Sequence, residues 1–184
     1  MEPGDVMAFP ARAWRAEYLE DTSHRRLVLD YYDREELSLR RYLSSLGLDQ
    51  ETCREIVQEA FLKLHEHLLA GGDQINLRAW LYRVAHNLAR NSQTSFHASR
   101  TEPLTEARGE VPAGAESAED KLLAKERLER LTRAMEQLSN TQRACLALRS
   151  QGLKYREIAE ILTLSTSTVG ENIQRGLDKL KELL

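Results

Sequence analysis

The stretch Tyr155-Arg156-Glu157-Ile158-Ala159-Glu160-Ile161-Leu162, then Thr163-Leu164-Ser165, then Thr166 through Lys181, decides the fold. It reads as a short helix, a tight turn and a second helix, the helix-turn-helix arrangement that can seat its second helix in a DNA major groove. Ile158 and Leu162 lie one turn apart, with small Ala159 beside them where the second helix must come close. Leu164 plugs the turn. Val169, Ile173, Leu177 and Leu180 recur at four, four and three residues, which predicts one buried stripe. The opposite face carries Ser167, Thr168, Glu171, Asn172, Gln174, Arg175 and Asp178, several of which can hydrogen-bond base edges or phosphates. A plain helical hairpin would share the stripe; the short length, plugged turn and polar outer face favour DNA.

Around that motif, 184 residues leave room for one domain or two small ones. No apolar run approaches the roughly 18 residues that span a bilayer, and the N-terminus does not read as a signal peptide. Cys53 and Cys145 stand far apart in predicted helices, without a CxxC or Cys/His cluster. Neither a zinc site, a disulfide framework nor any cofactor is expected, and a reducing cytoplasm fits best. His65 and His67 sit about 200° apart around a helix axis, so they cannot share a metal and read as surface histidines.

The formal net charge of −3 is unusual for a DNA binder, and its distribution explains it. Residues 1–24 carry 2 basic and 5 acidic side chains, and residues 25–97 carry 10 of each. Residues 98–120 carry 2 and 6, whereas residues 121–184 carry 12 and 8, a net of +4. The positive end coincides with the helix-turn-helix. Its modest size predicts weak binding to free DNA.

The periodicity predicts an all-α chain: two small helical domains on a flexible linker. Residues 1–24 read as a loosely held extension with a short helical patch from Trp14 to Leu19. In residues 25–95 a first helix shows Val28, Tyr32, Leu39, Tyr42, Leu43 and Leu46 on one face and stops at Gly47. Asp49 can cap a second helix with Ile56, Val57, Ala60, Phe61, Leu64 and Leu68 inward, ended by Gly71-Gly72-Asp73. Asn76 can cap a third, with Leu77, Trp80, Leu81, Val84, Ala85 and Leu88 inward. Periodicity fades near Asn91. Residues 96–118, broken by Pro103 and Pro112, read as a flexible acidic linker too polar to repay its ordering entropy. From 119 to 184 a helix with Ala124, Leu128, Leu131, Met135 and Leu138 leads to the capping box Ser139-Asn140-Thr141-Gln142. A helix with Ala144, Cys145 and Leu148 follows, stops at Gly152, and gives way to the helix-turn-helix.

Three strings in order, EIVQEAFLKL (Glu55–Leu64), AWLYRVAHNLARN (Ala79–Asn91) and YREIAEILTLSTSTV (Tyr155–Val169), resemble a bacterial RNA polymerase sigma factor. The compact two-module form is similar to the extracytoplasmic-function group, over roughly residues 27–184. The resemblance implies a subunit that binds core RNA polymerase and directs promoter recognition, DNA opening and initiation, and is not itself an enzyme. It implies that Glu55, Gln58, Glu59, Phe61 and Leu62 dock on the clamp of the polymerase. Asn76, Arg78, Trp80, Tyr82, Arg83, His86, Asn87 and Arg90 would read and open the −10 element. Ser165, Ser167, Thr168, Glu171, Asn172, Gln174 and Arg175 would read the −35 element. An anti-sigma protein is a further implied partner, and the linker resembles the segment that threads toward the polymerase active centre.

The chemistry of these positions agrees. A base leaving the stack needs polar partners, which Asp73, Gln74 and Asn76 can supply, while Arg78, Arg83 and Arg90 can hold phosphates. Arg83, Asn87 and Arg90 share a helix face opposite the apolar stripe. Trp80 falls in that stripe and reads first as core; Tyr82 could be core or a stacking platform. Gly170-Glu171 after Thr168-Val169, where the family commonly carries a basic residue, and Thr163, where a turn glycine is common, depart from the pattern. Two alternatives stand beside the sigma reading. One is a helix-turn-helix regulator acting alone; the other is a sigma-like interaction protein that does not read promoters.

Overall fold

In a computed structural model the described residues are 11–99 and 118–183, and among them seven helices and no strand occur. They are α1 (Ala11–Ser45), α2 (Gln50–Leu69), α3 (Leu77–Ser99), α4 (Ala118–Glu136), α5 (Asn140–Ser150), α6 (Tyr155–Leu162) and α7 (Thr166–Leu183). Helix ends are written in the sequence where it matters. Gly47 stops α1 with φ +87°, which costs a glycine little because it has no Cβ. Asp49 caps α2 by accepting the Thr52 N–H at 2.9 Å. Ser139 and Gln142 form a reciprocal capping box at the head of α5.

Two expected boundaries move. Helix α1 already begins at Ala11, so the extension read as loosely held is largely helical. Pro10 is the last breaker before Gly47, and nothing between them interrupts the helix. Helix α3 continues to Ser99, past the fading of its apolar stripe near Asn91. No glycine or proline stands between Leu77 and Ser99 to end it, and Gln93 ties it back to α1 by donating to the Leu46 carbonyl at 3.1 Å. Most of the linker expected over 96–118 lies outside the described residues.

Helices α1, α2 and α3 pack around Leu39, Tyr42, Leu43, Ala60, Leu64, Leu81 and Ala85, all 0% exposed. Truncating one of these leucines to alanine removes apolar contact and leaves a cavity, about 2–5 kcal/mol. The stripe predicted for α2 is buried throughout. In the second module α5, α6 and α7 pack on one another through Cys145, Leu148, Leu153, Ile158, Ile161 and Val169. Here two stripes need correction. Leu177 is 42% exposed, and the buried line of α7 runs through Val169, Ile173 and Gly176 instead. A Cβ on Gly176 would stand 2.8 Å from Leu146 Cδ1, so the bare backbone is what lets α7 lie close on α5. On α4, Leu131 is exposed while Ala134 faces inward, as does Leu138 just beyond the helix; the Ala124 and Leu128 side chains lie outside the described residues.

The two modules also touch. Helix α3 packs on α6 and α1 on α5, and the buried residues of both modules form one continuous apolar cluster.

Candidate nucleic-acid and partner interfaces

On α2, Glu55 and Gln58 are exposed, Leu62 is 53% exposed, and Glu59 pairs with Lys63 at 3.0 Å. These four occupy one sector of the helix at 100° per residue. Phe61 does not join them. It is 5% exposed and meets the Tyr32 ring edge-on at 5.0 Å, supporting the face from beneath.

The loop from α2 to α3 is built tightly around a residue that the sequence marked as an ordinary surface histidine. The His67 ring stacks on Trp80 at 4.7 Å and its Nε2 lies 2.9 Å from the Asp73 carbonyl. A Cβ on Gly72 would run into that ring, so the glycine there is a packing requirement. Asp73 Oδ1 accepts the Ile75 N–H at 2.8 Å, leaving Ile75 81% exposed at the tip. Asn76 takes the position before α3, and its carbonyl accepts the Trp80 N–H. Its φ of +56° is left-handed, however, which departs from the extended backbone of a capping side chain. A histidine four residues before a Gly-Gly was the available signal for this loop.

The seven candidate positions on α3 separate by environment. Arg83, Asn87 and Arg90 are exposed and lie within about 60° of one another around the axis, a ridge headed by Asn76. Helix α3 carries no Asp or Glu. Trp80 is half-buried under His67. Tyr82 is 0% exposed, a core position with no ring face open for stacking in this arrangement. Burial, then the nearby Glu35 carboxylate, pushes its phenol far above the usual range. Arg78 sits over the Tyr82 ring, binds Glu35 at 2.7 Å, and donates to the Gln151 carbonyl at 2.6 Å. In this arrangement it holds protein, not phosphate. His86 lies behind the ridge with its Nδ1 2.7 Å from the Tyr42 hydroxyl. Burial, helped by the charge on Arg90, pushes its pKa down to about 4, so the ring is neutral near pH 7.

On the second module Ser165 caps α7. It accepts the Thr168 N–H at 3.0 Å, and its hydroxyl lies within 2.8 Å of those of Ser167 and Thr168. Asn172 is half-buried and donates to the Thr168 carbonyl at 2.8 Å. Glu171 pairs with Arg175 at 3.3 Å and Gln174 donates to Asp178 at 3.0 Å. The outer face therefore arrives with its polar groups already satisfied by one another. Thr163 closes the turn at φ +56°, a left-handed conformation that disfavours its branched side chain. Gly170 has room: a Cβ there would meet the Tyr155 ring at 3.7 Å, an ordinary contact. Beside it, the Arg149 guanidinium lies 5.5 Å from the Tyr155 ring centre, and Lys154 and Arg156 stand exposed at the head of α6. None of these was singled out from sequence, because their placement depends on how α6 crosses α7.

Among the described residues no group of three or more His, Cys, Asp or Glu is placed to hold a metal ion. No described helix is long and apolar enough to cross a membrane.

Comparison with known proteins converges on one family. Residues 24–95 match the family model for sigma-70 region 2, and residues 128–180 match the one for sigma-70 region 4. The chain is 31% identical over 158 residues to the RNA polymerase sigma factor SigZ of Bacillus subtilis, covering 85% of this chain and 86% of that protein. It is 27% identical over 145 residues to the ECF RNA polymerase sigma factor SigK of Mycobacterium tuberculosis, covering 78% and 76%. Two solved structures share the fold. CnrH in complex with the cytosolic domain of CnrY superposes with a TM-score of 0.64 at 21% identity, over 91% of this chain and 93% of that one. RpoE of Bartonella quintana, in complex with the anti-sigma factor NepR, gives 0.61 at 23%, over 84% and 96%. With both signature regions in order and a 31% identical relative aligned over most of its length, this chain belongs to the extracytoplasmic-function group of sigma-70 factors, the subunits that direct RNA polymerase to promoters.

Proposed function

We propose a division of labour within that role. The sector Glu55, Gln58, Glu59 and Leu62 of α2 docks on core polymerase, with Phe61 holding it from below. The ridge Arg83, Asn87 and Arg90, together with Asn76 and the His67-anchored loop, engages the −10 element. The outer face of α7 meets the −35 element through Ser167, Gln174 and Arg175 once the Glu171–Arg175 and Gln174–Asp178 pairs open. On this reading residues 25–95 are the polymerase and −10 module, 119–184 the −35 module, 96–118 their connector and 1–24 an extension, and the protein works in the cytoplasm.

The observation that carries the reading is the α3 ridge. It is a helix face with two exposed arginines flanking an asparagine and no acid anywhere on the helix. Such a face suits phosphates on either side of an amide that reads a base edge. Because the structural relatives are held by CnrY and by NepR, an anti-sigma protein covering these faces is part of the proposal. The test is co-elution of the purified chain with bacterial core polymerase, followed by run-off transcription from promoters selected out of a random library. Specific initiation that fails with Arg83→Ala or Asn87→Ala, while co-elution persists, supports the assignment. Co-elution without initiation favours the interaction protein; duplex binding without co-elution favours the stand-alone regulator.

A further inference from the structure

The loop between α2 and α3 is fastened at three points through one residue, His67. Gly71 ends α2 in the left-handed conformation at φ +72°, and the Gly72 N–H returns to the His67 carbonyl at 2.8 Å. The side chain holds the next residue. Its Nε2 lies 2.9 Å from the Asp73 carbonyl, and because a carbonyl only accepts, Nε2 carries the proton and donates. From the other side the ring is pinned by the Trp80 indole of α3, stacked at 4.7 Å with 27° between the planes. A Cβ on Gly72 would stand 2.2 Å from the ring, so the imidazole lies directly on that backbone. Asp73 then fixes the tip by accepting the Ile75 N–H at 2.8 Å.

What this frame presents is an isoleucine. Ile75 is 81% exposed, more than any other large apolar side chain among the described residues. It stands in the chain between Gln74 and Asn76, both exposed. An apolar group flanked by amides suits one base edge in particular. Thymine alone among the DNA bases sets a methyl group beside its hydrogen-bonding atoms.

We infer that Ile75 reads the C5 methyl of a thymine in the −10 element, and that His67 is the positioning residue that holds it there. The inference rests on the −10 assignment above and adds to it the base that the loop reads and the residue that sets the loop. With the methyl against Ile75, the thymine O4 is left to accept from a neighbouring amide. A loop ordered before binding does not lose that freedom on contact, so the methyl contact is realised in full. The competing use of an exposed isoleucine is a wedge pushed between base steps, which acts on any sequence.

The experiment uses holoenzyme made with the full chain, on a promoter selected from a random library, with each −10 thymine replaced in turn by 2′-deoxyuridine. That exchange removes one methyl group and leaves every hydrogen-bonding atom in place. At one position it should lower open-complex formation about fourfold, the worth of one methyl group taken from water. Ile75→Ala should make thymine and uracil equivalent at that position. His67→Ala should do the same, as should Gly72→Ala, which displaces the ring without removing a polar group. Co-elution with polymerase and helical content should not change. His67→Gln, whose amide can still donate to the Asp73 carbonyl, should keep part of the preference. A merely structural role for His67 would instead lower initiation equally on thymine and uracil templates, which would overturn its part in the inference. Selected −10 elements without thymine, no effect of uracil at any position, or a preference that survives Ile75→Ala would overturn the methyl contact. So would an equal loss on all templates with Ile75→Ala, the mark of a wedge. In each of these cases the −10 assignment stands if Asn87→Ala still alters −10 discrimination. If it does not, the assignment fails and this inference falls with it.

Discussion

The two helices that we propose meet promoter DNA are built on opposite electrostatic plans. Helix α3 carries Arg78, Arg83 and Arg90 and no acid, and its exposed ridge is held by a core that includes Tyr42, Tyr82 and Leu81. Helix α7 carries Arg175, Lys179 and Lys181 against Glu171, Asp178 and Glu182, and its reading face is paired within itself. A cationic ridge attracts any phosphate backbone, whereas a self-paired face must break its own contacts before making new ones. On the proposed assignment, affinity is concentrated on α3, while α7 contributes discrimination at the cost of rearrangement.

Removing the ridge should have the largest effect. With Arg83→Ala and Arg90→Ala together, promoter-complex affinity should fall on the order of 100-fold, taking about 1.5 kcal/mol for each charged hydrogen bond lost. The slope of log affinity against log salt should flatten by about 1.4–1.8, which a salt titration of the polymerase complex reads directly. An unchanged slope would show that the ridge does not touch phosphate.

Acidification attacks the support behind the ridge. His86 has its pKa lowered from 6.5 to about 4, so the unfolded chain takes up a proton that the folded one refuses between those values. Stability is then full above pH 6.5 and falls as pH drops toward 4, by roughly 3 kcal/mol. Denaturant midpoints at pH 7.5 and 4.5 check this, and His86→Gln should remove most of the difference.

Two glycines on α7 should respond with opposite sign. Gly176→Val drives a side chain into Leu146 and should cost about 2 kcal/mol. Gly170→Ala meets only ordinary contact with Tyr155 and should add up to about 1 kcal/mol through helix propensity. Thermal or denaturant unfolding of the two variants separates them. The smallest effect expected is on binding. Glu171→Lys exchanges a repulsive for an attractive charge and should raise affinity for a −35 duplex severalfold at low salt, less as salt screens it. If it lowers discrimination without raising affinity, Glu171 reads a base instead.

Elements whose evidence is local were legible in the sequence. Gly47, Asp49, Ser139 with Gln142, and the apolar stripe of α2 each act within a few residues of themselves, and each stands where the spacing puts it. Partner-dependent features were not. Leu177 fits the helical period as well as Gly176 does, and only the close approach of Leu146 selects the glycine. His67 looks like a surface residue until Trp80, Asp73 and Gly72 are brought around it from up to thirteen residues away. Tyr82 and Arg78 looked available to nucleic acid because Glu35 and Gln151, their partners, are more than forty residues away in sequence. The shared exposed face of Arg83, Asn87 and Arg90 needed only the period of one helix.

The most direct measurement compares holoenzymes made with the wild-type chain and with Asn87→Ala on a promoter whose −10 and −35 bases are substituted one at a time. Loss of discrimination at one −10 position, with −35 discrimination and core-polymerase affinity unchanged, is the predicted result. A uniform loss at every position, or full discrimination retained, would contradict the assignment of promoter reading to the α3 ridge.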